Sequence, residues 1–146
     1  MPFRDLPKSA QLAMAWYMSI DGEAWEMPPQ FVPYGTGMRE ITKHFPEHRS
    51  WYARKYGNKK FGYVEIPAGA LIEAVMGDLE IKDQFKEFED YHDWYVRQGH
   101  MPEHESRNRW PVILSHYDEE TLQDGWHRFH NYIQQGARMI PALYYA

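Results

Sequence analysis

The chain of 146 residues contains no cysteine. Disulfide scaffolds, zinc–thiolate centres, iron–sulfur clusters and thiol nucleophiles are excluded together. Long apolar runs are missing as well, since none approaches the ~20 residues of a membrane-spanning helix. The first residues do not carry the basic-then-apolar pattern of a secretory leader. The expectation is therefore a cytoplasmic protein without a membrane partner. Internal repeats and low-complexity tracts are not found. With 43% hydrophobic and 25% charged residues, the chain has a globular composition. At this length a fold can bury roughly two-thirds of its unfolded surface.

What the sequence has in excess is aromatic rings. They make up 16% of the chain, with six Trp and eleven Tyr, and there are eight His. Such rings serve either as stacking surfaces for bases and partners or as an aromatic core. Charge is uneven. Residues 1–60 hold nine Lys/Arg and six Asp/Glu, a balance of +3, whereas residues 61–146 hold seven and fifteen, a balance of −8. A polyanion would have to meet the first sixty residues or a localised site.

Hydrophobic periodicity divides the chain into a helical N-terminal extension, residues 1–60, and a mixed remainder, residues 61–146, within one compact domain overall. Leu12, Ala13, Trp16, Tyr17 and Ile20 form one stripe at helical period, and Asp21-Gly22 supplies turn chemistry after it. Three prolines and two glycines make 27–37 a loop. Thr36 is placed to cap a short helix carrying Met38, Ile41 and Phe45; Pro46 opens another that stops at Gly57. Phe61–Ile66 reads as a strand closed by Pro67, and 70–76 as a short helix. Asp78 caps a longer helix with Ile81, Phe85, Phe88, His92 and Tyr95 on one face. A polar loop spans 100–109. Strands follow at 111–115 and 120–123, then a helix over 125–135 capped by Asp124, and a terminal strand over 138–145. This order is that of an α+β fold.

Two segments carry chemistry. Arg49, Arg54, Lys55, Lys59 and Lys60 alternate with Trp51, Tyr52, Tyr56 and Phe61. That is the composition of a nucleic-acid surface, or of a helix with a solvated face and a buried aromatic one. The second segment is Leu122-Gln-Asp-Gly-Trp-His-Arg128, a strand running through a tight turn into a helix. The first turn of a helix offers unpaired N–H groups and a positive dipole end, which together receive phosphate. Gly125 permits close approach of a ligand. His127 and Arg128 add donors in the same turn. Asp124 serves there either as the helix cap or as a ligand for a magnesium ion bridging to phosphate.

The run Leu122–Leu143, with its D-G-x-H-R turn, a helix ending in Gly136 and an Ile140-Pro141 step, resembles the ParB/sulfiredoxin-like superfamily. Val64-Glu-Ile-Pro67 is similar to the first strand of that family, and Trp110-Pro-Val-Ile-Leu114 to the strand before its phosphate turn. The resemblance covers about residues 61–146. It implies a mixed sheet with packed helices and nucleotide phosphates bound at Gly125, His127 and Arg128. Trp126 stands where sulfiredoxins hold their cysteine, so sulfinic acid reduction is not implied. The G-E-R-R-like box of the chromosome-partition branch is lacking, and with it the basis for CTP-gated clamping on DNA. Small ATP- or ADP-dependent kinases of free serine, with similar D-G-x-H-R turns, are a closer branch; others have been described as nucleases or ATPases.

These readings make ATP or another nucleotide, with Mg, the expected ligands of Asp124, Gly125, Trp126, His127 and Arg128. Arg107 and Arg109 are further phosphate contacts. Phosphoryl transfer or hydrolysis would need a base; Glu65 is the first choice, with Glu103 and Glu105 as others. A non-catalytic regulator that binds DNA through Arg49–Lys60, or binds a protein, is the alternative; in either reading residues 1–60 serve as a lid over the site or as a homodimer contact. His100/His104 and His127/His130 have metal-ligand spacings, and His92 lies on an apolar stripe.

Overall fold

A computed structural model of the chain describes residues 1–20, 38–99, 104–114 and 122–145. The expected Asp21-Gly22 stop, the proline-rich loop, the Thr36 cap, His100 and Glu103 lie outside them. The chain divides into two compact units, Met1–Phe61 and Gly62–Ala146, close to the change in composition.

In the first unit a 3-10 turn, Phe3–Asp5, leads into α1 (Lys8–Ile20) and α2 (Met38–Lys55). Leu12, Ala13 and Tyr17 of α1 are buried, as are Ile41, Phe45 and Tyr52 of α2, each set at helical spacing. The Phe3 ring lies 5.3–6.4 Å from the rings of Tyr52, Tyr56 and Phe61. Gln11 is the polar tie. Its buried amide donates to the carbonyls of Leu6 (3.0 Å), Phe3 and Arg4 (both 3.3 Å), and its Oε1 accepts from Arg49 Nε at 3.1 Å.

The expected helix start at Pro46 is corrected, because α2 runs through Pro46 as one helix of 18 residues. An internal proline removes the bond to the carbonyl four residues back, here Thr42, and costs ~3 kcal/mol. Burial of Ile41 and Phe45 before it and Tyr52 after it offsets that cost, while Pro46 itself is exposed. Among the described residues the buried Thr42 hydroxyl has no hydrogen-bond partner. Pro46→Ala restores an N–H to the ladder and should stabilise the chain by about 1–3 kcal/mol in urea unfolding. An unchanged or lower midpoint would contradict this account of α2.

In the second unit β1 (Phe61–Pro67), β2 (Val112–Leu114), β3 (Leu122–Asp124) and β4 (Met139–Tyr145) form a sheet in the order β1-β4-β2-β3. Strands β2 and β4 are parallel, with Val112 opposite Ala142 and Ile113 opposite Leu143. Strands β2 and β3 are antiparallel, with Ile113 opposite Asp124 and an irregularity before Leu114. The sheet is therefore mixed and the class α+β. The two central strands are the continuous apolar runs Val112-Ile-Leu and Ile140–Tyr144, buried throughout, as strands covered on both faces should be.

Helices α3 (Ala68–Met76), α4 (Leu79–Gln84), α5 (Phe88–Val96), α6 (His104–Arg107) and α7 (Trp126–Gln134) complete the unit. Leu71, Val75, Tyr91, Phe129 and Tyr132 join the sheet residues in one buried cluster. Asp78 caps α4 as expected, its Oδ1 accepting from the amides of Glu80 and Ile81. The single long helix expected after it is corrected: Phe85 is extended (φ −134°, ψ 134°), and α5 starts afresh beyond Glu87. The apolar stripe survives this break because Ile81, Phe85, Phe88 and Tyr95 still pack on the core. The expected loop over 100–109 is likewise corrected by α6.

Candidate functional site

The turn joining β3 to α7 is organised around Arg128. Its side chain is 2% exposed. Nη1 donates to the Pro111 carbonyl at 3.0 Å and Nη2 to Asp124 Oδ2 at 2.9 Å, and the guanidinium lies 6.0 Å from the Trp110 ring. Asp124 is thus an ion-pair partner. The N-cap position itself belongs to Gly125, which has no side chain to cap with, and Asp124 stands one residue before it. Gly125 is left-handed, at φ +93°. A Cβ there would come within 3.1 Å of Arg128 Nε, Arg128 Nη2 and the Val112 Cα. A side chain at 125 would therefore need the guanidinium or the Val112 backbone to give by a few tenths of an ångström, besides the strain of the left-handed backbone.

The first bond within α7 runs from the Phe129 amide to the Gly125 carbonyl at 2.8 Å. The amides of Trp126, His127 and Arg128 precede it and make up the first turn of the helix, which has no intrahelical acceptors. His127 is exposed at this end, its Nδ1 3.3 Å from the Tyr95 hydroxyl. Trp126 is half-buried on the neighbouring side. Gly125, Trp126 and His127 thus surround one helix terminus, while Arg128 faces inward beneath it.

The other expected site residues have partners elsewhere. Glu65 on β1 is gripped by Arg109, whose Nη2 lies 2.8 Å from both carboxylate oxygens. Arg109 has φ 59°, and its guanidinium sits 5.4 Å from the Tyr132 ring. Arg107 ends α6 and is exposed. In the first unit Arg54, Lys59 and Lys60 are exposed and Lys55 half-buried. Among the interleaved rings, Tyr52, Tyr56 and Phe61 are buried and Trp51 half-buried. Three of the four rings are therefore core residues and are not presented for stacking on bases. Among the described residues no group of three or more His, Asp or Glu side chains gathers as a metal site. The one expected magnesium ligand, Asp124, gives its Oδ2 to Arg128.

Sequence reasoning missed a histidine pair. His92 Nδ1 and His130 Nδ1 lie 2.7 Å apart, and His130 Nε2 is 3.3 Å from the Tyr91 hydroxyl. Two ring nitrogens at that distance share one proton, one donating and the other accepting. Tyr95 stacks on His130 with centroids 3.8 Å apart. His130 is fully buried whereas His127 is exposed, so the two do not act together as ligands. The stripe position of His92 pointed inward, but its partner lies 38 residues away. Comparisons with family models, curated proteins and solved structures give no match for this chain.

Burial, reinforced by the nearby His92 and His127 rings, pushes the His130 pKa down from 6.5 to about 3. Burial also lowers that of His92. Between about pH 6.5 and 3 the unfolded chain binds a proton at residue 130 that the folded chain refuses. Stability must fall as pH falls through this window, by up to about 1.4 kcal/mol per pH unit for that proton. His130→Asn should flatten the pH dependence of the urea midpoint between about pH 6.5 and 4. An equally steep dependence in the variant would remove His130 as its source.

Proposed function

We propose that the second unit binds a phosphate-bearing ligand, with the open N-terminus of α7 as anion receptor and His127 as its side-chain donor. The observation that carries this reading is a nine-residue helix whose N-cap is a left-handed glycine, a residue with no side chain of its own to cap the first amides. Oriented amides of this kind, with the positive end of the helix dipole, attract phosphate oxygens. The carboxylate beside them is neutralised by its pairing with Arg128, which reduces the repulsion an anion would meet. Arg128 thereby becomes a positioning residue. The resemblance of Leu122–Leu143 to the ParB/sulfiredoxin-like superfamily supports a nucleotide such as ATP as the ligand.

Binding is better supported than turnover. Phosphoryl transfer needs a carboxylate base facing the phosphate, and Glu65 and Asp124 are each committed to an arginine. The exposed Glu65–Arg109 pair contributes less than about 1 kcal/mol. A cytoplasmic setting, where nucleotides abound, agrees with this reading. No helix among the described residues is long and apolar enough to cross a membrane. A DNA-binding reading on Arg54, Lys59 and Lys60 would rest on phosphate contacts with little stacking.

Thermal unfolding with ATP, ADP, CTP, GTP and inorganic phosphate, each with and without magnesium, tests the proposal. A ligand at a hundredfold excess over its dissociation constant adds about 2.7 kcal/mol. His127→Glu places a negative charge at the open terminus of α7 and, being exposed, should alter basal stability by less than about 0.5 kcal/mol. The expected result is an upward shift for at least one ligand, lost in His127→Glu. A flat panel with folded protein, or a shift indifferent to the variant, would overturn the reading.

A further inference from the structure

Helix α4, the turns of α5 that face it and the first residue of α7 enclose a cleft of about 230 Å3. Its walls are rings. Phe85 lies 5.6 Å from Tyr91 and 5.7 Å from Trp94, and Tyr91 lies 6.4 Å from Trp94, between centroids. Tyr95 and Trp126 line it as well. The break after Gln84 produces this arrangement. An uninterrupted helix would set Phe85 in line with Ile81, whereas the extended Phe85 folds its ring back toward α5.

The charged lining of the cleft is anionic only. Asp78 and Glu80 contribute carboxylates, and among the described residues no Lys, Arg or His side chain lines it. Asp78 is fixed by its bonds to the α4 amides. Burial first, and then the charges of Tyr95 and Asp78, hold the Tyr91 hydroxyl in its protonated form. Trp94 is 42% exposed, so its ring remains accessible. Residues 61–146 carry a balance of −8, which attracts cations to this part of the chain.

Rings and carboxylates around one small cleft select a cation, because ring faces attract positive charge and both acids repel negative charge. A bare ammonium keeps a tight hydration shell that few acceptors here could replace. An alkylated ammonium sheds its weaker shell readily and presents methyl groups to the rings. We propose that the cleft is a binding site for an alkylated ammonium ion, the trimethylammonium head of a small molecule being the form that fits. The cleft borders the terminus of α7 through Trp126 but differs from it in charge.

Calorimetric titration of the full chain with choline, and with 3,3-dimethylbutan-1-ol as its uncharged isostere, separates charge from shape. Choline should bind saturably, and the isostere at least about fivefold more weakly. Trp94→Leu and Glu80→Gln, both at exposed positions, should each weaken choline binding about threefold or more while leaving the unfolding midpoint near that of the parent. A peptide bearing trimethyllysine forms a further arm; weaker binding than choline supports a small-molecule ligand, and tighter binding overturns that assignment. Equal binding of choline and its isostere, or no binding of choline by folded protein, would overturn the site itself.

Discussion

The buried contact of Arg128 with Asp124 and the Pro111 carbonyl is the constraint on which the second unit depends. A guanidinium removed from water is tolerated only when its donors are met, and here one is met by β3 and another by the residue that leads into β2. The same side chain therefore ties the antiparallel pair together and sets the angle at which α7 leaves the sheet. It also bears on Gly125. With φ at +93° and the guanidinium 3.1 Å from where a Cβ would stand, the turn favours glycine. The D-G-x-H-R pattern is thus first a structural device: the acid and the arginine hold the turn, and the histidine between them is left facing outward.

A second layer, built from rings, supports the outer face of α7. Phe88 and Phe129 meet edge to face at 5.8 Å, and the His92, Tyr95 and His130 rings stack behind them. Much of the aromatic excess of the sequence is spent in this layer and in the core of the first unit. The histidine pair inside it is neutral, which makes it a brace that weakens in acid. Where the layer opens between α4 and α5, rings and carboxylates meet solvent together.

Strands β2 and β4 were legible because unbroken apolar runs describe strands buried on both faces. Helix α7 was legible because Phe129 and Tyr132 share a face and Gly136 follows the last turn. The helix breaks were not. Pro46 signals a start in isolation, but α2 is held on both sides by buried rings. Nothing in Phe85-Lys-Glu87 announces an interruption, which is set by packing on the core. The roles of the charged residues were the least legible. Glu65 and Arg109 find each other across 44 residues, a pairing no local pattern reveals. The four-residue separation of Asp124 and Arg128 was a usable signal for an ion pair; the capping preference of aspartate masked it.

A double-mutant cycle on Asp124 and Arg128 tests the organising role of this contact most directly. Asp124→Asn, Arg128→Met and the double variant would be compared with the parent in urea unfolding. Asp124→Asn, which leaves a buried cation uncompensated, should cost about 3–5 kcal/mol, and the coupling between the two positions should exceed about 2 kcal/mol. A coupling of about 0.5 kcal/mol, as in exposed pairs at this spacing, would contradict the account and return Arg128 to the surface as a ligand-binding side chain.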